Sequence, residues 1–111
     1  MSDPFQGRFS GNDAIQKMIE TGRINHEQCQ HLGEIRPVVP SGLGCEECLA
    51  SGDQWVHLRI CLTCGHVGCC DNSKNKHARH HYHNSGHPLI QSFEPGEEWL
   101  WCYPEQSWMR P

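Results

Sequence analysis

CLTCGHVGCCDNSKNKHARHHYHNSGH, residues 61–87, places four cysteines and six histidines in one continuous stretch. The stretch opens with a Cys-x2-Cys pair, Cys61 and Cys64, and a second such pair, Cys45 and Cys48, precedes it. A Cys-x2-Cys turn presents two thiolates to one ion, and later histidines can complete a tetrahedral zinc site. The stretch therefore predicts zinc binding as the feature that organises the fold.

The chain is short of the apolar residues that normally build a core. Ile, Leu, Val and Phe account for twenty of its 111 residues, and the formal net charge is only -4. That apolar share lies below the roughly 20% level at which disorder is expected. A structural zinc contributes on the order of 10 kcal/mol of folding free energy, comparable to the stability of a whole domain. Eight cysteines and nine histidines thus indicate that metal replaces part of the core.

Disulfide bonds are the alternative use of so many cysteines. The N-terminal sequence MSDPFQGRFSGNDAIQ has no basic segment followed by the apolar run of a signal peptide. No window approaches the ~18 consecutive apolar residues that a membrane span needs. We therefore expect a cytoplasmic protein, in which thiols stay reduced and ligate metal.

The sequence divides into three parts: an N-terminal extension (residues 1–25), a metal-rich domain (26–105) and a tail (106–111). We expect the tail to be loosely held, because it is short and terminal. In the extension, Asn12 or Asp13 can cap a helix that runs to about Gly22. One face of this helix carries apolar residues at helical spacing and is expected to pack on the domain: Ile15, Met18 and Ile19.

Within the metal-rich domain, three segments are rich in β-forming residues and are predicted strands: 55–60, 88–93 and 99–103. Between the first two, residues 73–83 contain no β-branched residue and predict a short helix. Ser73 or Asn72 can cap this helix, and Gly86 can end it.

One division of the ligands would give a Cys2His2 DNA-binding finger, because Cys61, Cys64, His77 and His81 have its spacing. Such a finger needs large apolar residues in the twelve-residue gap, which here offers Val67 and otherwise polar residues, glycines and cysteines. The acidic chain also lacks the basic surface of a nucleic-acid binder. We therefore expect no nucleic-acid partner. Spacing alone still leaves the division open, since His77 and His81 share a helix face and could bind one ion.

The order of motifs, from Cys-x-His through CLTCGHVGC, His-x3-His and NSGHP to a final W-C-Y, resembles the UBP-type zinc finger of ubiquitin-specific proteases and of a cytoplasmic histone deacetylase. The resemblance covers about 29–103, and CGHVGCCD and SFEPGEEWLWCY are most similar to short stand-alone prokaryotic members. It implies an α+β fold, a small twisted antiparallel sheet packed with helices and cross-braced by zinc.

The resemblance also implies how the ligands divide. The first site would consist of Cys45, Cys48, Cys69 and His77, and the second of Cys61, Cys64, His81 and His87. A third would use Cys29, His31, Cys102 and Glu105, where a carboxylate replaces the usual last thiolate. We therefore expect three Zn2+ ions, and at least two.

The remaining cysteine and histidines are not expected to bind metal. Cys70 stands where the family often has glycine, and we expect a free thiol packed like a small apolar residue. The other histidines are predicted to be surface or hydrogen-bonding residues: His26, His57, His66, His80 and His83.

In the family, a pocket receives the free C-terminal tail of ubiquitin, and an arginine binds the terminal carboxylate. Trp101 and Tyr103 fit its aromatic wall, but Asp71 stands at the arginine position and should repel a carboxylate. Arg59, at an aromatic position, is either a solvated strand residue or a charge that faces the carboxylate from the other side.

The resemblance thus implies a non-catalytic, zinc-binding interaction module with a protein or peptide partner. A binder of ubiquitin-like Gly-Gly tails is the alternative. The first two sites have four protein ligands each and leave no open position for catalysis. A zinc hydrolase would require a third site that Glu105 fails to close.

Overall fold

The computed structural model describes residues 11–25 and 27–110 and has an α+β fold. Its helices are α1 (Gly11–Glu20), α2 (Glu46–Ser51) and α3 (His77–Ser85), with a 3-10 turn at Leu32–Glu34. Its strands are β1 (Leu58–Cys61), β2 (Val67–Cys69), β3 (Leu89–Ser92), β4 (Leu100–Cys102) and β5 (Ser107–Met109). They form one antiparallel sheet in the order β2-β1-β3-β4-β5. The predicted fold class is confirmed.

The two faces of the sheet differ in what they pack against. One row of paired residues, Ile60, Gln91, Leu100 and Met109, is buried in the core. The row on the opposite face runs from Cys61 through Ile90 and Trp101 to Trp108. Helix α3 packs against β1 and β2. The outward face of β3, β4 and β5 carries the pocket described below.

Helix α1 packs on the core as expected. Ile15 and Met18 are buried, and Ile19 is partly buried against the same cluster. The helix begins at Gly11, so Asn12 and Asp13 lie within it and not at the predicted capping position. No helix in the described part of the chain is long and apolar enough to cross a membrane.

Helix α3 begins at His77, four residues later than predicted, because the preceding polar side chains are engaged elsewhere. The Ser73 hydroxyl accepts the backbone N–H of Val56 at 2.9 Å instead of capping the helix. The Asn75 amide donates to Asp53 at 2.9 Å. Gly86, with a φ of +76°, ends the helix as predicted.

The prediction of a loosely held tail is wrong. Residues 107–109 form the edge strand β5, and Met109 is completely buried. A turn makes this possible: Gln106 has a φ of +50°, and its N–H donates to the Tyr103 carbonyl at 3.3 Å. Burial of Met109 against the core row favours pairing over fraying.

Candidate metal centres and the adjoining pocket

The first cluster joins three elements of the fold. Cys45 precedes α2, Cys48 lies in it, Cys69 ends β2, and His77 begins α3. The His77 Nδ1 atom lies 3.2, 3.4 and 3.5 Å from the Sγ atoms of Cys45, Cys48 and Cys69, respectively. Atoms bound at usual zinc distances in a tetrahedron lie about 3.3–3.8 Å apart. The four side chains have the spacing that a zinc ion requires.

The second cluster contains Cys61, Cys64, His81 and His87. The Cys64 Sγ lies 3.3 Å from His81 Nε2, and the Cys61 Sγ lies 3.5 Å from His87 Nδ1. Cys64 is exposed, whereas the three cysteines of the first cluster are buried. Burial lowers the pKa of His81 to about 4, which keeps its imidazole in the neutral form that ligates metal.

The third cluster, Cys29, His31, Cys102 and Glu105, brings the segment after α1 against the turn between β4 and β5. His31 Nδ1 lies 2.9 Å from Glu105 Oε1 and 3.6 Å from Cys102 Sγ. The same glutamate oxygen accepts the backbone N–H of Gln30 at 2.5 Å. Both cysteines are buried, whereas the Glu105 side chain is 28% exposed. The carboxylate is therefore positioned as a fourth donor at the solvent side.

The chemistry of the thiols indicates what these clusters hold. Burial is the main reason that the pKa of Cys29 and of Cys45 is raised to about 12, and that of Cys61 to about 11. Several neutral thiols packed together gain little from one another, because S–H is a weak donor. A bound cation reverses this balance, since a coordinating thiol is deprotonated outright. The donor sets therefore fit zinc.

The structure separates His77 from His81. Although they are four residues apart on α3, His77 faces the cysteines of the first cluster and His81 faces Cys64 of the second. The grouping of a Cys2His2 finger, in which both histidines would join Cys61 and Cys64, is therefore not the observed arrangement. The two clusters instead interleave along the chain.

The remaining cysteine and histidines differ in their surroundings. Cys70 is buried outside the three clusters, with its Sγ 3.6 Å from the Ser73 hydroxyl. His57, His80 and His83 are exposed, and His26 lies outside the described residues. His66 differs from them, because it is largely buried and hydrogen-bonded to a carboxylate.

A cavity of about 270 Å³ opens on the outward face of the sheet. Its walls are largely aromatic, and its lining residues are Arg59, Cys70, Asp71, Asn72, Ile90, Trp99, Trp101, Tyr103 and Trp108. Trp99 and Trp108 meet edge to face, with ring centroids 5.8 Å apart. Tyr103 stacks on Tyr82 of α3 at 4.6 Å, and burial raises the pKa of its hydroxyl. The helix thus fixes one wall of the pocket.

The charges of the pocket are arranged differently from the sequence expectation. Both oxygens of Asp71 are engaged by the Arg79 guanidinium, with Nε 3.0 Å from Oδ1 and Nη2 in contact with Oδ2. This partner holds the pKa of Asp71 below its usual value. Arg59 lies over the Trp99 ring, 4.5 Å from its centroid, and donates to the Leu58 carbonyl at 2.8 Å. The pocket wall therefore presents a cation, while the carboxylate is already paired.

Sequence reasoning missed Arg79, Trp99 and Trp108 as part of this site. The alternation of Trp99, Trp101 and Tyr103 along one strand could have placed Trp99 on the wall. The ion pair between Asp71 and Arg79 had no local signal, because it depends on how α3 docks on the sheet.

Comparisons with known proteins identify the family of the chain. Residues 45–111 match the model of the family described as Zn-finger in ubiquitin-hydrolases and other protein. A solution NMR structure of a protein from Rhodopseudomonas palustris is 58% identical, with a TM-score of 0.68, and the match covers 73% of this chain and 79% of that one. The NAD-dependent deacetylase sir2A of Dictyostelium discoideum is 37% identical over 59 residues, which are 53% of this chain. The match spans 10% of the deacetylase.

Proposed function

The chain belongs to the family of zinc fingers found in ubiquitin hydrolases, and we propose that it is a non-catalytic interaction module that binds a protein or peptide in its aromatic pocket. The observation that carries this proposal is the open sheet face with three tryptophans around one cavity. Exposed aromatic surface of this kind is typical of interaction sites.

Zinc binding is the property on which the module depends. The proposed ligands are those of the three clusters, with one Zn2+ in each. Zinc would act as a structural cross-link, because the first two donor sets each supply four protein atoms and leave no position for a substrate. This arrangement supports binding and not catalysis. A cytoplasmic location, where the thiols stay reduced, is part of the same proposal.

The shape of the pocket favours a ligand that is slender and unbranched where it passes Trp101 and Tyr103. The rings of Trp101 and Tyr103 meet nearly at right angles, 89°, with centroids 6.5 Å apart. A flat, extended backbone with small side chains fits against such a corner, and each ring contributes apolar area and a rigid shape. We infer an extended peptide segment as the ligand.

A second candidate is a free C-terminal tail, and Arg59 favours it. Its guanidinium lies over the Trp99 ring, and the N–H groups not bonded to the Leu58 carbonyl can donate to a carboxylate. Asp71 opposes such a ligand less than an isolated acid would, since Arg79 balances its charge. For this second candidate, Arg59 would supply the cation that the family has at position 71.

Selection from random peptide libraries would test the proposal and separate the two candidates. One library would present free C-termini and the other amidated C-termini, both screened against the zinc-loaded protein. We expect enriched peptides to bind the native protein and to lose binding with Trp101→Ala. Equal enrichment on the native and substituted proteins would contradict the pocket as the binding site. Dependence on the free carboxylate and on Arg59 would select the tail-binding candidate.

A further inference from the structure

His66 is the histidine outside the three clusters that the structure buries most clearly among the described residues. Its side chain is 11% exposed, and its Nε2 lies 2.8 and 2.9 Å from the two oxygens of Glu47. A carboxylate can only accept, so Nε2 carries the proton and donates it. The distances are those of an N–H···O hydrogen bond, which accounts for the contact without a further metal ion.

One face of the His66 ring is covered by the side chain of a proposed zinc ligand. His66 stacks on His81 with centroids 4.1 Å apart and an interplanar angle of 11°. Gly68 on β2 makes this possible, because a Cβ at that position would lie 2.9 Å from His66 Cε1 and 2.8 Å from the Ala78 nitrogen. A larger residue would push the ring away from the helix.

His81 needs such a support. Its Nε2 faces Cys64, and ligating histidines usually donate their other ring N–H to an acceptor that fixes the ring orientation. Within residues 11–25 and 27–110, no hydrogen bond involves His81 Nδ1. The ring of His66 lies instead against the face of His81, where it restricts the plane of that ring.

The Glu47–His66 contact also joins the two Cys-x2-Cys turns. Glu47 lies between Cys45 and Cys48, and His66 comes two residues after Cys64. The contact links α2 to the turn between β1 and β2, and the stacking of His66 on His81 links that turn to α3. These three elements carry four of the proposed ligands of the two clusters: Cys48, Cys64, His77 and His81.

We propose that Glu47 and His66 are positioning residues for the second metal site. They hold the His81 ring so that Nε2 points at the Cys61–Cys64 pair. They also connect this site to α2, which carries Cys48 of the first site. The inference rests on the zinc ligands given in the proposed function. It predicts selective weakening of the second site when the contact is broken.

The test is zinc release into a colorimetric chelator, with long-range 1H–15N NMR of His77 and His81 to show which site has emptied. With His66→Ala we expect the second site to release its zinc about tenfold faster or more, and before the first site does. His66→Phe keeps an aromatic ring but loses the N–H, and an intermediate rate is expected. Glu47→Ala should weaken the site, and Glu47→Gln, which retains an acceptor, should restore it.

Glu46→Ala is the matched control, because this neighbour on the same helical turn is 57% exposed and lies 3.9 Å from His66 Nε2. It should release zinc at the native rate. Native-like release from His66→Ala and Glu47→Ala, or equal acceleration at both sites, would overturn the proposal. If His66→Ala does not fold, His66→Phe and Glu47→Ala decide the question. Failure of the underlying zinc assignment would look different, since the His81 resonances of the native protein would then not respond to zinc at all.

Discussion

The metal clusters and the pocket of this small fold rest on different physics. Cys45, Cys48 and Cys69 are completely buried, and the sulfur of each must lie at a specific position around the metal. The pocket uses side chains such as Trp108, which is 52% exposed and contributes surface more than core. Under the proposed function, the clusters supply much of the folding free energy, which would leave the aromatic face of the sheet to the partner.

The largest effect should come from removing metal. Chelation, or Cys61→Ser, is expected to collapse the fold, because the apolar core is too small to stand without it. Cys70→Ser is the matched control, since Cys70 is also buried but lies outside the clusters. Two-dimensional NMR distinguishes the cases. Dispersed spectra of the metal-free protein would show that stability lies elsewhere, and loss of zinc from Cys70→Ser would show that the ligand assignment is wrong.

The clusters were more predictable from sequence than the pocket. Cysteine and histidine spacing carries the chemistry of a zinc site directly, and the family resemblance proposed the groups that the structure brings together. The pocket depends on contacts between distant segments of the chain. Arg79 reaches Asp71 only because α3 packs across β1 and β2, and Trp108 reaches the wall only because the chain turns at Gln106 to form β5. Such long-range contacts leave no local pattern in the sequence.

A smaller effect is expected at the third cluster. Glu105→Ala should remove or loosen one zinc of three while the fold persists, because a carboxylate replaces a thiolate there and is partly exposed. In a chelator titration, this zinc should leave the native protein first. Glu97→Ala is a suitable control, since it removes an exposed glutamate outside the clusters. Two zinc ions in the freshly purified native protein would show that the third group is not a zinc site.

Substitutions in the pocket should separate binding from folding. Trp108→Ala is expected to cost under about 1 kcal/mol of stability, as is usual for exposed positions, and to leave the zinc content unchanged. Peptide binding should weaken, because an aromatic anchor is lost. Thermal unfolding, metal analysis and calorimetry together test this. Loss of zinc from this variant would mean that the clusters and the pocket are not independent.

The smallest effect concerns the charges. We expect ubiquitin with a free Gly-Gly terminus to bind with a dissociation constant above roughly 100 μM, or about -5.5 kcal/mol. Asp71→Asn should improve binding a few-fold, because it frees the Arg79 guanidinium beside the pocket. Arg59→Gln should weaken it. Calorimetry on the three proteins would decide, and no response to either substitution would exclude carboxylate recognition at this face.

Native mass spectrometry of the protein as purified is the decisive measurement of the role of zinc, because it reports metal identity and stoichiometry on the folded chain. We expect a compact charge-state distribution carrying three zinc ions. Chelation should remove zinc and shift the distribution to highly charged, unfolded species. A compact protein that carries no zinc would contradict the claim that metal organises this fold.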